Sequence, residues 1–436
     1  MTDDHEDRTA VERSEGSARR RSDGDGAATP RFDLGLDLDV ELEEIRAAAV
    51  RLAPYVRETP TVYSYTFSEA TGADVHLKLE NLQRTGSFKV RGALNKILLL
   101  PEEARARGLV AASAGNHAQG VALAAQLAGC ASTIVMPTST AITKVERTVG
   151  YGARVVLHGE TYDDAALHAK ELAAQEGLTP IHPFDDWDII RGQGTVGLEI
   201  AAQIPDVGAV VLPIGGGGLI AGVALALKAL RPEVSVIGVQ AEGASPMVQS
   251  IREGEKRVVE NPRTLAEGIR VGKVGERTYD VVRALCDRTL TVSEAEIASA
   301  VVELLEKNKV VAEAAAVTPI AALMARRVRL DTTLCAVISG GNIDLTMVGR
   351  LIESGLSQRG TLQRFELEVA DEPGTLRRVL EAVEQERGNI LDVRHDRAGW
   401  KVPVGAVHVD VLVELRSATA AGAIRERLEA EGFEVR

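Results

Sequence analysis

Three near-continuous apolar runs constrain this chain most: "AVVLPI" (209–214), "SVIGVQ" (235–240) and "LCAVIS" (334–339). A strand with one wet face alternates apolar and polar residues. These runs do not alternate, so they suit parallel strands covered by helices on both faces. Upstream, "VHLKLE" (75–80) reads as a strand by its period of two. "FKVRGALNKILLL" (88–100) follows as a helix, with Val90, Ala93, Leu94, Ile97 and Leu98 on one face. "GLVAAS" (108–113) is a strand before the helix "NHAQGVALAAQLAG" (116–129). "STIVMP" (132–137) and "ARVVLHG" (153–159) are strands with helical stretches after each. Alternation on this scale, over residues 39–355, predicts an α/β region of open, mostly parallel sheets in two subdomains. Ligands of such sheets sit at loops beyond strand C-termini.

After Gly360 the order changes to strand 363–370, helix 373–386, strands 388–397 and 405–416, helix 418–431 and a short last strand. That βαββαβ order predicts a ferredoxin-like module over 363–436. Residues 356–362 read as the linker between the two regions. Residues 1–38 are mostly rich in Asp, Glu, Arg, Ser and Gly, too polar to offset ordering entropy, and read as a disordered tail.

A net charge of −13 argues against nucleic acid as the main partner. No apolar run is long enough to span a bilayer, and the polar N-terminus does not read as a secretory signal. The three cysteines, Cys130, Cys286 and Cys335, are far apart and read as buried free thiols of a reducing compartment. A cytoplasmic protein is expected.

Four loops carry chemistry. Lys89 stands behind Thr85, Gly86 and Ser87, where a helix should start. With Ser87 as N-cap, Lys89 falls in the first turn, where the helix field lowers its pKa. A lysine so placed can be a free amine that forms a Schiff base, although most lysines are surface charges. "VLPIGGGGLIAG" (211–222) ends a buried strand in four glycines and opens a helix. Its backbone N–H groups can close around an anion; a tight turn is the simpler alternative. It is neither G-x-G-x-x-G nor a P-loop. "ASAGNHAQG" (112–120) places Ser113, Asn116 and His117 at another helix start, where capping alone is possible. "VISGGNIDL" (337–345) offers Ser339 and Asn342 in what alone is a turn. An amine, an anion cradle and two polar loops suit a phosphorylated aldehyde, pyridoxal 5'-phosphate.

The motifs "SFKVRGA", "SAGNHAQG", "PIGGGGLIAG" and "SGGNIDL", in that order, resemble the threonine/serine dehydratases of the tryptophan-synthase-β-like, fold type II pyridoxal-phosphate enzymes. "VADEPGTLRRVL" (369–380) and "GNILDVRHDR" (388–397) are similar to an ACT domain, as in threonine ammonia-lyases that carry one C-terminally. The resemblance implies that Lys89 holds the cofactor as a Schiff base and Phe88 packs beside its ring. It gives the phosphate to Gly215, Gly216, Gly217, Gly218 and Leu219, the ring hydroxyl to Asn116 and the ring nitrogen to Ser339. The substrate carboxylate falls to Ser113, Ala114, Gly115, Asn116 and His117, with Ser87 near the substrate. The implied reaction is dehydration and deamination of L-threonine to 2-oxobutanoate and ammonia, in isoleucine biosynthesis or threonine catabolism. Lys89 takes the α-proton, and a serine at the ring nitrogen favours prompt loss of the β-hydroxyl.

Ala114 stands where racemases of this fold carry a second serine, which disfavours racemisation. Gln240 and Pro246 stand where metal-dependent relatives carry acids, so no metal is expected. Glu313-Ala314-Ala315-Ala316 replaces a glycine-containing stretch and bears on substrate choice, leaving L-serine or 3-hydroxyaspartate ammonia-lyase as an alternative. An amino-acid sensor without catalysis is the reading of another class; an intact Lys89 speaks against it. By the same resemblance the C-terminal module pairs, making a homodimer or homotetramer. It would bind an amino-acid effector, isoleucine or valine, at Asp371, Pro373, Gly374, Asn389 and Leu391.

Overall fold

The structure is a computed structural model that describes residues 35–397 and 405–435. The expected N-terminal tail lies, up to residue 34, outside them. The strands run, in chain order, as β1 (Thr61–Tyr63), β2 (Val75–Leu79), β3 (Leu109–Ala112), β4 (Ser132–Met136), β5 (Arg154–Leu157), β6 (Thr179–Pro180), β7 (Val207–Pro213), β8 (Ser235–Ala241), β9 (Arg288–Val292) and β10 (Thr333–Ile338). The C-terminal module adds β11 (Leu362–Ala370), β12 (Asn389–Asp396), β13 (Ala406–Glu414) and β14 (Glu434–Val435).

Six of these strands form a large sheet in the order β1-β2-β10-β7-β8-β9. All its neighbours are parallel except β1 against β2. Both faces are covered, as the near-continuous apolar runs require. Along β7, Ala209 and Val211 enter one core while Val210 and Leu212 enter another. A smaller parallel sheet, β5-β4-β3-β6, forms the second subdomain. The expected helix after β2 spans Lys89–Leu99 and buries Val90, Ala93, Leu94 and Ile97. It lies close to the helix Trp187–Gln203 because Gly92 and Gly192 meet there; a Cβ on Gly192 would sit 2.6 Å from the Gly92 Cα.

The C-terminal sheet is antiparallel, in the order β12-β13-β11-β14, with two helices on it. This is the order a ferredoxin-like βαββαβ chain takes. Residues 356–362, expected as a linker, hold the last turn of the helix Leu345–Gln358 and the start of β11. Only residues 359–361 lie between. Arg359 is committed there, bonding Glu303 and Glu306 of the helix Glu294–Asn308. Of the cysteines, Cys286 and Cys335 are buried as expected, while Cys130 is only half-buried; none is bonded to another.

Candidate active site

Strand order decides which loops meet. β10 lies between β2 and β7, parallel to both, with Ile338 level with Leu79. The segments after these strands therefore leave the sheet along one edge. They are the Lys89 loop, the Ser339 loop and the glycine loop. The first two are stitched together: Phe88 N–H donates to the Ser339 carbonyl (3.2 Å) and Gly341 N–H to the Gly86 carbonyl (2.8 Å). The small sheet supplies the fourth loop, after β3. Its helix Asn116–Leu127 presses on the Lys89 helix so tightly that a Cβ on Gly120 would lie 3.1 Å from Lys89.

Side chains close the join. Asn342 Nδ2 donates to the Thr85 carbonyl and to Asn116 Oδ1, both at 2.7 Å. Asn116 Nδ2 donates to Glu313 Oε1, also at 2.7 Å. One N–H of Asn116 remains for a ligand. Lys89 Nζ donates to the Pro183 carbonyl at 2.9 Å. Burial lowers the Lys89 pKa to about 8, opposed by the negative charge of Glu313. Burial likewise raises Glu313 to about 7, opposed by the Asn116 hydrogen bond. The cleft thus holds an amine and a carboxyl that both change charge near neutral pH.

The glycine loop follows β7 as expected. Gly217, at φ 96°, adopts a left-handed turn open to glycine, and a helix begins at Gly218. Phe184 covers the loop: a Cβ on Gly216 would lie 2.3 Å from its ring. Gly218 and Leu219 are buried at the helix start, where N–H groups and helix field favour an anion.

Three expectations change. Ser87 does not cap the Lys89 helix; Phe88 occupies the N-cap without a side-chain bond. The Ser87 Oγ is instead fully buried without a hydrogen-bond partner. The main cause of the Lys89 shift is burial rather than the helix field. His117 turns into the core, where its Nε2 bonds the Ile181 carbonyl (3.0 Å) and burial pushes its pKa down to about 3. Its neutral ring is spent, so it can serve a carboxylate only through its backbone. Ser113 Oγ accepts from Gly115 N–H (3.1 Å), shaping the loop of Ser113, Ala114 and Gly115.

The five C-terminal residues do not form one site within a chain. β13 pairs Glu414 with both Leu362 and Asn389, and Asp371 N–H bonds the Gly405 carbonyl. Asn389 and Leu391 thus lie at one end of the sheet. Asp371, Pro373 and Gly374 lie at the other, a strand length of roughly 30 Å away.

Sequence reasoning missed Pro183 and Phe184, and gave Glu313 no role in the cleft. Nothing in "HPFDD" (182–186) marks it as a site segment before the fold is known. Glu313 had a signal: an acid just ahead of an all-alanine stretch that the core buries. Among the described residues no group of three or more His, Cys, Asp or Glu is placed to hold a metal. No helix there is long and apolar enough to cross a membrane.

The residues fit pyridoxal phosphate on three counts: an amine with a lowered pKa, a glycine cradle at a helix N-terminus, and an orphaned Ser87 hydroxyl. Fold and cleft together define a fold type II α/β enzyme acting through a carbonyl cofactor. The family model described as pyridoxal-phosphate dependent enzyme matches residues 52–340. An L-threonine ammonia-lyase of Thermotoga maritima is 45% identical over 397 residues, covering 91% of this chain and 99% of its own. Among solved structures, processed threonine deaminase isoform 2 of Solanum lycopersicum matches with a TM-score of 0.72 at 35% identity, over 77% of this chain and 93% of that one. Maize serine racemase matches at 0.69 and 34% identity, over 73% and 98%. The chain belongs to the pyridoxal-phosphate dependent enzyme family.

Proposed function

We propose that this enzyme converts L-threonine to 2-oxobutanoate and ammonia, with pyridoxal phosphate held between Lys89 and Gly215–Gly218. One observation carries the reading. Lys89 bonds the Pro183 carbonyl, and the next residue, Phe184, lies on Gly216 and Gly218. Consecutive Cα atoms are about 3.8 Å apart, so amine and cradle face one cleft across a single residue step. The named threonine enzymes among the relatives support the substrate.

The cofactor, when bound, supplies the electron sink that makes an α-proton removable. Lys89 Nζ, neutral above about pH 8, is the base that takes this proton. Phe88 lies beside the amine, its ring centroid 5.3 Å from Nζ, and restricts where a planar ring can sit. The free N–H of Asn116 serves the ring hydroxyl. Ser339 offers the ring nitrogen a hydroxyl, not a carboxylate, so charge is not drawn fully onto that nitrogen. Backbone N–H groups of Ala114, Asn116 and His117 hold the substrate carboxylate, those of Ser113 and Gly115 being spent on the Val135 carbonyl and Ser113 Oγ, and Ser87 Oγ is free for a polar group of the substrate. Ala114 carries no proton acceptor, which keeps chemistry on the Lys89 side.

A substrate panel tests the reading. Ketoacid release should favour threonine over serine and 3-hydroxyaspartate in kcat/KM; a tenfold advantage for serine would defeat it. Glu313 gives a second prediction. Its charge raises the Lys89 pKa, so Glu313→Gln should lower it. The rate at which cofactor-free protein captures added pyridoxal phosphate should then reach half-maximum at lower pH than in wild type. An unshifted profile would show that Glu313 does not set the charge of the amine.

The C-terminal module supports regulation by an amino acid. β12 is an edge strand, and pairing two such edges antiparallel would carry one copy's Asn389 end to the other's Asp371 end. A homodimer or homotetramer would then complete what one chain leaves apart. Deleting residues 361–436 should leave turnover intact and abolish inhibition by isoleucine or valine. A full-length enzyme indifferent to both would end this part of the reading.

A further inference from the structure

The segment 182–186 joins the small sheet, after β6, to the helix Trp187–Gln203 of the large one. It is drawn into a tight turn by His182, whose Nδ1 accepts from the N–H groups of Phe184 (3.2 Å) and Asp185 (2.8 Å). Pro183 and Phe184 touch Lys89 and the glycine loop. Asp185 points elsewhere, to the start of the helix Glu276–Leu285. Its carboxylate accepts from the N–H groups of Glu276 (3.1 Å), Arg277 (2.9 Å) and Thr278 (3.2 Å).

That helix has only Gly275 at its N-cap, which offers no side chain of its own. A Cβ on Gly275 would lie 2.5 Å from the Asp185 carboxyl carbon, so the glycine makes room for a cap brought from far upstream. The capped turn holds Thr278, which is fully buried. Its Oγ1 donates to the Gly216 carbonyl at 2.7 Å. The peptide between Gly216 and Gly217 is planar and trans, so its N–H points opposite to its carbonyl. With the carbonyl tied back to Thr278, the Gly217 N–H is aimed away from that helix.

We propose that Asp185 and Thr278 are positioning residues for the anion cradle: Asp185 fixes the turn that carries Thr278, and Thr278 fixes the peptide that aims the Gly217 N–H at the phosphate. The proposal rests on the cofactor reading above. It adds that phosphate affinity depends on two side chains outside the glycine loop. A hydrogen bond that orients a donor is stronger in consequence than its own energy, because a rotated peptide would present a carbonyl oxygen to the anion instead.

The test compares pyridoxal 5'-phosphate with pyridoxal, which lacks the phosphate, by absorbance titration of the full chain stripped of cofactor. Thr278→Val keeps the shape and loses the donor; Thr278→Ser restores it. Thr278→Val and Asp185→Ala should each weaken pyridoxal phosphate by about tenfold or more, the worth of at least one hydrogen bond. Pyridoxal affinity should change less than about twofold, and Thr278→Ser should bind both as wild type does. An equal loss for both probes in Thr278→Val would show general damage and overturn the proposal. So would unchanged pyridoxal phosphate affinity. If Asp185→Ala yields no soluble protein, the two Thr278 variants decide alone. A wild-type protein that binds pyridoxal as tightly as its phosphate would remove the cradle reading itself, and this proposal with it.

Discussion

Lys89→Ala is expected to abolish ketoacid release from threonine, by more than about 10⁴-fold, while leaving the chain folded. Two roles vanish together. The chain loses the amine that binds the cofactor aldehyde and the base that takes the α-proton. Neither has a substitute nearby. His117 is neutral and committed to Ile181. Glu313 is bonded to Asn116 and offers no amine to the cofactor aldehyde. Folding should not suffer, because among the described residues the side-chain hydrogen bond given up is the one to the Pro183 carbonyl. The stability of cofactor-free protein should in fact lose a pH dependence. Lys89 has a folded pKa of about 8 against an ordinary 10.5. Between these values the unfolded chain holds the proton and the folded one does not, so stability rises with pH across that window. The gain is lost as pH falls back from 10.5 to about 8, and below that both states hold the proton. Melting curves of cofactor-free wild type should show this rise, and those of Lys89→Ala should lack it. Residual turnover above about one per cent, or a wild-type melt without the rise, would contradict the role of the lysine or its buried state.

What could be read from residues alone follows from how local each signal is. The apolar runs of β7, β8 and β10 and the alternation of β2 announce strands because their environment is set by the sheet they enter. The glycine loop and the Lys89 loop are local motifs with chemical meaning, and strand order brings them to one edge. β1 and β6, three and two residues long, carry too little pattern to read. Ser87 looks like a cap in sequence, yet the loop pairs with Ser339–Gly341 and starts the helix one residue later. Asp185 caps a helix some ninety positions away, a relation no window of sequence contains. The C-terminal effector residues fall in two groups that antiparallel register sends to opposite ends of the sheet, so a site made of both needs the paired modules that the resemblance implies.

Arg91, two residues beyond the lysine, carries the second large effect. It is buried, with Glu80 and Lys78, in a cluster that ties β2 and the Lys89 helix to the helix Trp187–Gln203. Its guanidinium bonds both Glu80 oxygens at 2.8 Å, then Glu199 (3.0 Å), Thr195 (3.1 Å) and the Arg57 carbonyl (3.2 Å). Lys78 binds Glu199, the Thr59 carbonyl (2.6 Å) and Gln203 (3.0 Å). Two cations thus face two carboxylates. The surplus attraction of such a group over its desolvation is small, but removing one member strands the rest. Arg91→Met should cost roughly 3–5 kcal/mol, because Glu80 stays buried without its cation. Urea unfolding would measure it as a lower midpoint at unchanged slope. Adding Glu80→Gln to Arg91→Met should recover part of the loss, since the stranded charge is then gone. If instead the two losses add, the cost lies in lost packing of a large side chain and not in the uncompensated carboxylate. Because the same helix carries Lys89 at its first turn, Arg91→Met should also weaken cofactor binding, whereas a change confined to stability would show that the lysine is held by the cleft rather than by its helix.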